Sequence, residues 1–222
     1  MNNYFIIFPH AGAIKSGYTN IVNSVAEKCE IIYVDYDEHL DENSTFGSFI
    51  ESIWEFLGDK IKRKNWGVYI FAHSMGNCIV QALESRLLSQ YFVEEIIYSD
   101  GEVINNIQDN ELRKKSEEEL QALLDEKYDI PEEIKENEIL LEHFQNILLR
   151  DLFVLDKVPH YVERVGDIYL EDDVERKILI SNYMEHERVI SDWNKICEKK
   201  KFIPIFGSHY DILDNFSKYI EI

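Results

Sequence analysis

The feature that most constrains this 222-residue chain is an alternation of short, fully apolar runs with longer amphipathic stretches. Residues 4–8 (Tyr-Phe-Ile-Ile-Phe) form an apolar run stopped by Pro9 and Gly12, the pattern of a buried strand. Residues 30–35 carry Ile31, Ile32, Tyr33 and Val34; residues 67–72 carry Val68, Tyr69, Ile70 and Phe71; residues 93–99 carry Val93, Ile96, Ile97 and Tyr98. Between these runs, 17–28 and 46–62 place apolar side chains at helical spacing, through Ile21, Val22 and Val25 and through Phe49, Ile50, Ile53, Trp54 and Leu57, and 77–88 also reads as a helix. Continuous apolar strands joined by helical crossovers predict an α/β fold, with a mainly parallel sheet covered by helices on both faces.

The alternation then breaks. Residues 105–164 read as wholly helical: Leu112, Leu120, Leu123 and Leu124 in one helix, a second opening at Pro131, and a Leu-rich third over 139–154. Strand and helix resume with 177–181, 190–198, 202–206 and 210–220. The expected organisation is a core of residues 1–104 and 165–222, with 105–164 inserted as a helical lid.

The composition is that of a folded protein, 45% hydrophobic and 13% aromatic, and 222 residues suffice for a sizeable core. A formal net charge of −20 repels phosphate backbones, so no nucleic-acid partner is expected. Three basic runs stand out against it: Lys62-Arg63-Lys64, Arg113-Lys114-Lys115 and Lys199-Lys200-Lys201. The last two are candidate docking points for an acidic partner, the third on the expectation that it lies near His209. Cys29, Cys78 and Cys197 are odd in number and widely spaced, which suggests a reducing compartment and no metal site. The first residues lack the charged start and apolar core of a signal peptide, and no apolar run approaches the roughly 18 residues of a membrane span. A cytoplasmic monomer without cofactor or membrane contact is expected.

The chemistry concentrates at Ala72-His73-Ser74-Met75-Gly76, between a predicted strand and a predicted helix. That is the context of a nucleophile elbow in a serine hydrolase of the α/β-hydrolase fold, where small flanking residues let strand and helix pack closely. Ser74 is the candidate nucleophile. Of seven histidines, His209 alone follows the last predicted strand, where the base of such a hydrolase sits. Asp100, closing the run Ile96-Ile97-Tyr98-Ser99-Asp100, is the favoured acid, and Glu185 is the alternative. The backbone N–H groups of Met75 and of Ala11, in Pro9-His10-Ala11-Gly12, are the candidate oxyanion donors.

Phe8-Pro9-His10-Ala11-Gly12 together with Ala72-His73-Ser74-Met75-Gly76 resembles the type II, stand-alone thioesterases of nonribosomal peptide and polyketide synthesis. The runs Ser116-Glu117-Glu118-Glu119-Leu120, Pro131-Glu132-Glu133 and Leu148-Leu149-Arg150-Asp151 resemble their helical lid. The resemblance implies hydrolysis of acyl or peptidyl groups from the phosphopantetheine arm of an acyl or peptidyl carrier protein. Those enzymes place the acid after the later strand, where this chain offers Asn182, Glu185 and Glu187. Asp100 and the ending Phe206-Gly207-Ser208-His209 look more like the chain-releasing domains of the same systems. Release or cyclisation, a small-ester esterase, and a non-catalytic carrier-binding module are therefore the alternative readings.

Overall fold

The computed structural model describes residues 2–41, 43–127, 130, 132–171, 173–182 and 184–222; Pro131, expected to open an inserted helix, lies outside them. The elements run β1 (Asn3–Phe8), α1 (Thr19–Val25), β2 (Glu30–Tyr33), α2 (Phe46–Lys60), β3 (Gly67–His73), α3 (Met75–Gln90) and β4 (Phe92–Ser99). Next come α4 (Glu117–Lys127), α5 (Glu132–Lys135), α6 (Glu138–Leu155) and α7 (Val158–Val165), then β5 (Arg176–Ser181), α8 (His186–Ile196), β6 (Lys200–Ile205) and α9 (Asp211–Tyr219).

The strands form one parallel sheet in the order β2-β1-β3-β4-β5-β6, as the apolar runs predict. Register sets Phe8 beside Ala72 and His73 beside Ser99, so the carboxyl ends of β1, β3 and β4 share one edge. Ligands and catalytic groups of open parallel sheets collect at that edge.

Side-chain alternation divides the sheet between two cores. Tyr4, Ile6, Phe8, Ile70, Ala72, Ile96, Tyr98, Ile178 and Ile180 pack with α2, α3 and α8. Phe5, Ile7, Phe71, Ile97 and Leu179 face the other way, against Ile21 and Val25 of α1 and Ile212 and Phe216 of α9. Leu148, Leu152 and Val154 of α6 and Val158 of α7 belong to the first core, so among the described residues the helices between β4 and β5 have no separate core of their own.

Local chemistry explains the element ends. Thr45 starts α2 with a capping box: its hydroxyl accepts from the Ser48 N–H at 3.1 Å, and Ser48 Oγ accepts from the Thr45 N–H at 2.9 Å. Asn137 caps α6 by accepting from the N–H groups of Ile139 and Leu140, both at 3.2 Å. β6 is an edge strand, which accounts for Pro204 within it and for the lysines at its start. It begins at Lys200 and ends before Phe206, which is 77% exposed. The strand, roughly 17 Å long, therefore places Lys199–Lys201 at the end of the sheet opposite the loop that carries His209. This basic run blunts a sheet edge and does not border the site, contrary to expectation.

One buried ion pair fastens the return from the helices between β4 and β5. Arg176, at the start of β5, donates to Glu84 of α3 from Nε at 3.1 Å; Glu84 also accepts from the Tyr98 hydroxyl at 2.6 Å. Arg176 and Glu84 are both almost wholly buried, so loss of either partner would strand the other's charge away from water.

Candidate active site

Ser74 occupies the single-residue step between β3 and α3 at φ 54° and ψ −111°. A non-glycine residue there is strained, typically by about 1–3 kcal/mol, and persists only where the surroundings hold it. They do: the Ser74 N–H donates to the Ser99 carbonyl at 2.9 Å, and the Ser74 carbonyl accepts from the Asn77 N–H at 3.0 Å. Gly76 lets the first turn of α3 press onto β1, because a Cβ there would lie 2.2 Å from the Phe8 carbonyl oxygen. Backbone cannot yield as a side chain does. Gly76→Ala is expected to cost roughly 3 kcal/mol, the upper end for overpacking, read as a lowered urea midpoint with unchanged slope.

Asp100 follows β4, also at positive φ, 44°. Its N–H donates to the Leu179 carbonyl at 3.0 Å, and its Oδ1 accepts from the Ser181 N–H at 2.7 Å. These bonds to β5 leave Oδ2 directed at Nδ1 of His209, 3.8 Å away. Asn77 supports this loop from α3: its side-chain oxygen accepts from the Gly101 N–H at 3.0 Å and its nitrogen donates to the Ala72 carbonyl at 2.8 Å. Gln81, one turn further along α3, accepts from the Ile104 N–H at 2.8 Å. Glu185, the alternative acid, is exposed and pairs with Arg188 at 3.3 Å. Asn182 and Glu187 are also exposed.

His209 lies on the loop after β6, which Asp211 clasps by accepting from both the N–H and the hydroxyl of Ser208, each at 2.6 Å. Its ring packs on His73 at 4.6 Å and on Tyr210 at 5.0 Å between centroids. Burial pushes His209 down to about 4 and Asp100 up to about 6. Near pH 7 the pair therefore holds a neutral imidazole beside a carboxylate, the combination a general base requires.

The segment 9–12 is held from three sides. Tyr36 donates from its hydroxyl to the Pro9 carbonyl at 2.8 Å. The Tyr18 hydroxyl accepts from the His10 N–H at 2.9 Å and meets His10 Nδ1 at 2.8 Å. Asp151 Oδ2 accepts from the Gly12 N–H at 2.9 Å. Ala11, between these anchors, lines the same cavity as Met75, the first residue of α3. Burial, with His209 next in effect, lowers His10 to about 3, and burial holds His73 well below the ordinary range, so both rings are neutral.

All five residues singled out in the sequence, Ser74, His209, Asp100, Ala11 and Met75, line one cavity of about 460 Å³. Cys78, Ile107, Leu155 and Met184 give it apolar wall; Leu155 ends α6, and Ile107 lies between β4 and α4. Sequence reasoning did not find the supporting residues Tyr18, Tyr36, Asn77, Gln81 and Asp151. They are 8 to 139 positions from the groups they hold, except Asn77, and only the Leu-Leu-Arg-Asp run hinted at one of them. Among the described residues, no group of three or more His, Cys, Asp or Glu side chains is placed to hold a metal, and no helix is long and apolar enough to cross a membrane.

Comparison with known proteins agrees with this fold. The sequence matches the family described as Thioesterase domain over residues 4–218. No curated protein sequence matches it. Among solved structures, the fold is similar to ClbQ from the colibactin NRPS/PKS pathway, with TM-score 0.76 and 13% identity over 98% of this chain and 93% of that one. It is similar to YbtT, a type II thioesterase from the yersiniabactin NRPS/PKS pathway (S89A mutant), with TM-score 0.73 and 16% identity over 98% and 90%. It is also similar to RedJ, a thioesterase from the prodiginine pathway in Streptomyces coelicolor, with TM-score 0.70 and 14% identity over 96% and 80%.

Proposed function

Because the chain belongs to the thioesterase domain family and is thus a serine hydrolase, we propose that it clears acyl or peptidyl groups from the phosphopantetheine arm of a carrier protein, with Ser74, His209 and Asp100 as its triad. The observation that carries this reading is the convergence of Ser74, His209, Asp100, Ala11 and Met75 on one cavity with an apolar wall. The structural neighbours named for NRPS and PKS pathways support the choice of substrate.

In this mechanism His209 Nε2 takes the proton of Ser74 as Oγ attacks the thioester carbonyl, while Asp100 keeps the other ring nitrogen protonated and stabilises the imidazolium. The carbonyl electrons move onto oxygen, where the N–H groups of Ala11 and Met75 receive them. Loss of one such donor typically costs about 3–4 kcal/mol. The tetrahedral intermediate collapses, the C–S bond breaks, and His209 returns its proton to the departing thiolate. Water then attacks the acyl-enzyme with His209 again as base, releasing free acid and Ser74. Residues 105–164 act as a lid: Ile107 and Leu155 receive the apolar part of the acyl group. The enzyme works as a cytoplasmic monomer and needs no cofactor.

The test is intact-mass spectrometry of carrier proteins bearing phosphopantetheinyl acyl groups of several lengths, incubated with wild-type enzyme. Loss of the acyl mass with appearance of the free acid is expected. Turnover of small free esters with every carrier left acylated would exclude carrier-directed hydrolysis. Product bearing an added amine or alcohol in place of free acid would make the enzyme a transferase.

A further inference from the structure

Asp151 is a carboxylate that the hydrolytic mechanism leaves without a task, yet it is 1% exposed and 139 residues from the group it contacts. It lies on α6, one turn beyond Leu148 and on the same helix face. Leu148 packs directly against Gly12: a Cβ on Gly12 would lie 3.1 Å from Leu148 Cβ, and Gly12 itself sits at φ 77°. Asp151 Oδ2 accepts from the Gly12 N–H at 2.9 Å. Its Oδ1 is occupied by Arg150, through Nε at 3.1 Å and the guanidinium end at 2.6 Å. Arg150 also pairs with Asp37, beyond β2. The carboxylate thus has one oxygen committed to the guanidinium and the other to a single backbone amide.

That amide adjoins Ala11. The His10 carbonyl, coplanar with the Ala11 N–H, accepts from the Ala13 N–H at 3.3 Å. The Gly12 bond fixes the next peptide plane, on the other side of the Ala11 Cα. With Tyr36 on Pro9 and Tyr18 on His10, the loop is thus tied on both sides of Ala11. We propose that Asp151 is a positioning residue for the oxyanion hole, through which helix α6 of the inserted stretch holds the Ala11 donor in place. The inserted helices then have a second role besides shaping the acyl chamber: a shift of α6 loosens the oxyanion loop. The inference rests on the serine-hydrolase reading above.

A donor that strengthens only in the transition state changes kcat and leaves KM in place. In Asp151→Asn the amide keeps one oxygen for Gly12 but turns its NH₂ against the Arg150 guanidinium, so the loop is held less firmly. On an acyl N-acetylcysteamine thioester, kcat is expected to fall by about tenfold to a hundredfold, less than or equal to the loss of a whole oxyanion donor, with KM within about twofold of wild type. The inhibition constant of a trifluoromethyl ketone, whose Ser74 adduct places an oxyanion in the hole, should rise by the same factor as kcat falls. Arg150→Gln, at a half-exposed position, guards against a misfolded Asp151 variant and should show the same pattern more weakly. A folded Asp151→Asn protein with wild-type kcat and ketone affinity, or one altered in KM alone, would overturn the proposal. If wild-type enzyme turned over no thioester, the functional reading would fall. The ratio of fluorophosphonate labelling rates at Ser74 between wild type and Asp151→Asn would still decide whether the tie positions the hole.

Discussion

Ser74→Ala is expected to lose about 10⁶-fold in kcat on any thioester substrate, the scale seen when a serine nucleophile is removed from an assembled triad. The fold should survive. Both backbone bonds of the turn, to Ser99 and Asn77, use main-chain atoms that alanine retains. The side chain is half-buried at the cavity wall and caps no helix N–H, so its removal leaves no orphaned donor. Alanine pays the same positive-φ strain as serine. The measurement is thiol release from an acyl N-acetylcysteamine thioester, paired with a thermal melt and with fluorophosphonate labelling followed by intact mass. Wild type should gain one adduct at Ser74, and the variant none. Activity within tenfold of wild type would move the nucleophile elsewhere in the cavity, where Ser208 also lies.

Asp100→Asn should separate activity from stability. Asparagine keeps an oxygen for the Ser181 N–H but presents NH₂ to Nδ1 of His209, which drives the ring into the wrong tautomer. The comparable change in serine proteases costs about 10⁴ in kcat. Stability should move the other way. Burial raises Asp100 from 3.8 to about 6, which means that keeping it ionised in the folded state costs about 3 kcal/mol at pH 7. The sign follows from the direction: with the folded value above the unfolded one, the cost is complete above pH 6, shrinks as pH falls, and vanishes below about 4. His209 is neutral in both states at pH 7, its folded value being the lower, and adds nothing there. The variant should therefore melt higher than wild type at pH 7 and alongside it at pH 4.

The same groups set the pH profile. The proposed mechanism requires Asp100 ionised and His209 neutral, so wild-type kcat/KM should rise with pH through an apparent value of about 6 belonging to the pair, then level off. In Asp100→Asn the residual activity should keep only the lower, His209 limb. A limb unmoved by the substitution, or a melting difference that persists at pH 4, would assign the acid's role to another group.

Much of the candidate site was legible in the sequence because its signals are local. An elbow needs a small residue on each side of the serine within one strand-to-helix step, and Ala72 and Gly76 are both present. His209 was found because strand order along the chain fixes which loop it occupies. The acid was harder to read: Asp100 and Glu185 lie on the loops after adjacent strands, and either loop reaches the same edge. The backbone geometry favours Asp100 in the proposed triad. Ser181 and Leu179 hold Asp100 facing Nδ1 of His209, whereas Glu185, at the rim of the same cavity, is exposed and paired with Arg188. Lys199–Lys201 shows the opposite failure. Proximity in sequence to His209 suggested proximity in space, but an extended strand carries the chain across the sheet within six residues.

What the sequence determined by itself was whatever short-range patterning encodes: alternation of strand and helix, the parallel sheet it implies, the tight turn at Ser74, and the loops on which His209 and Asp100 sit. Hydrophobic periodicity and steric demands at small residues act over a few positions, so they can be read without knowing the fold. The tertiary structure decided the long-range bonds. Tyr18, Tyr36 and Asp151 gather around residues 9–12, Arg176 meets Glu84, and His10 and His73 lose their charge beside His209. Each of these depends on the direction of one side chain and on the exclusion of water around it, and neither exists until the helices have packed on the sheet.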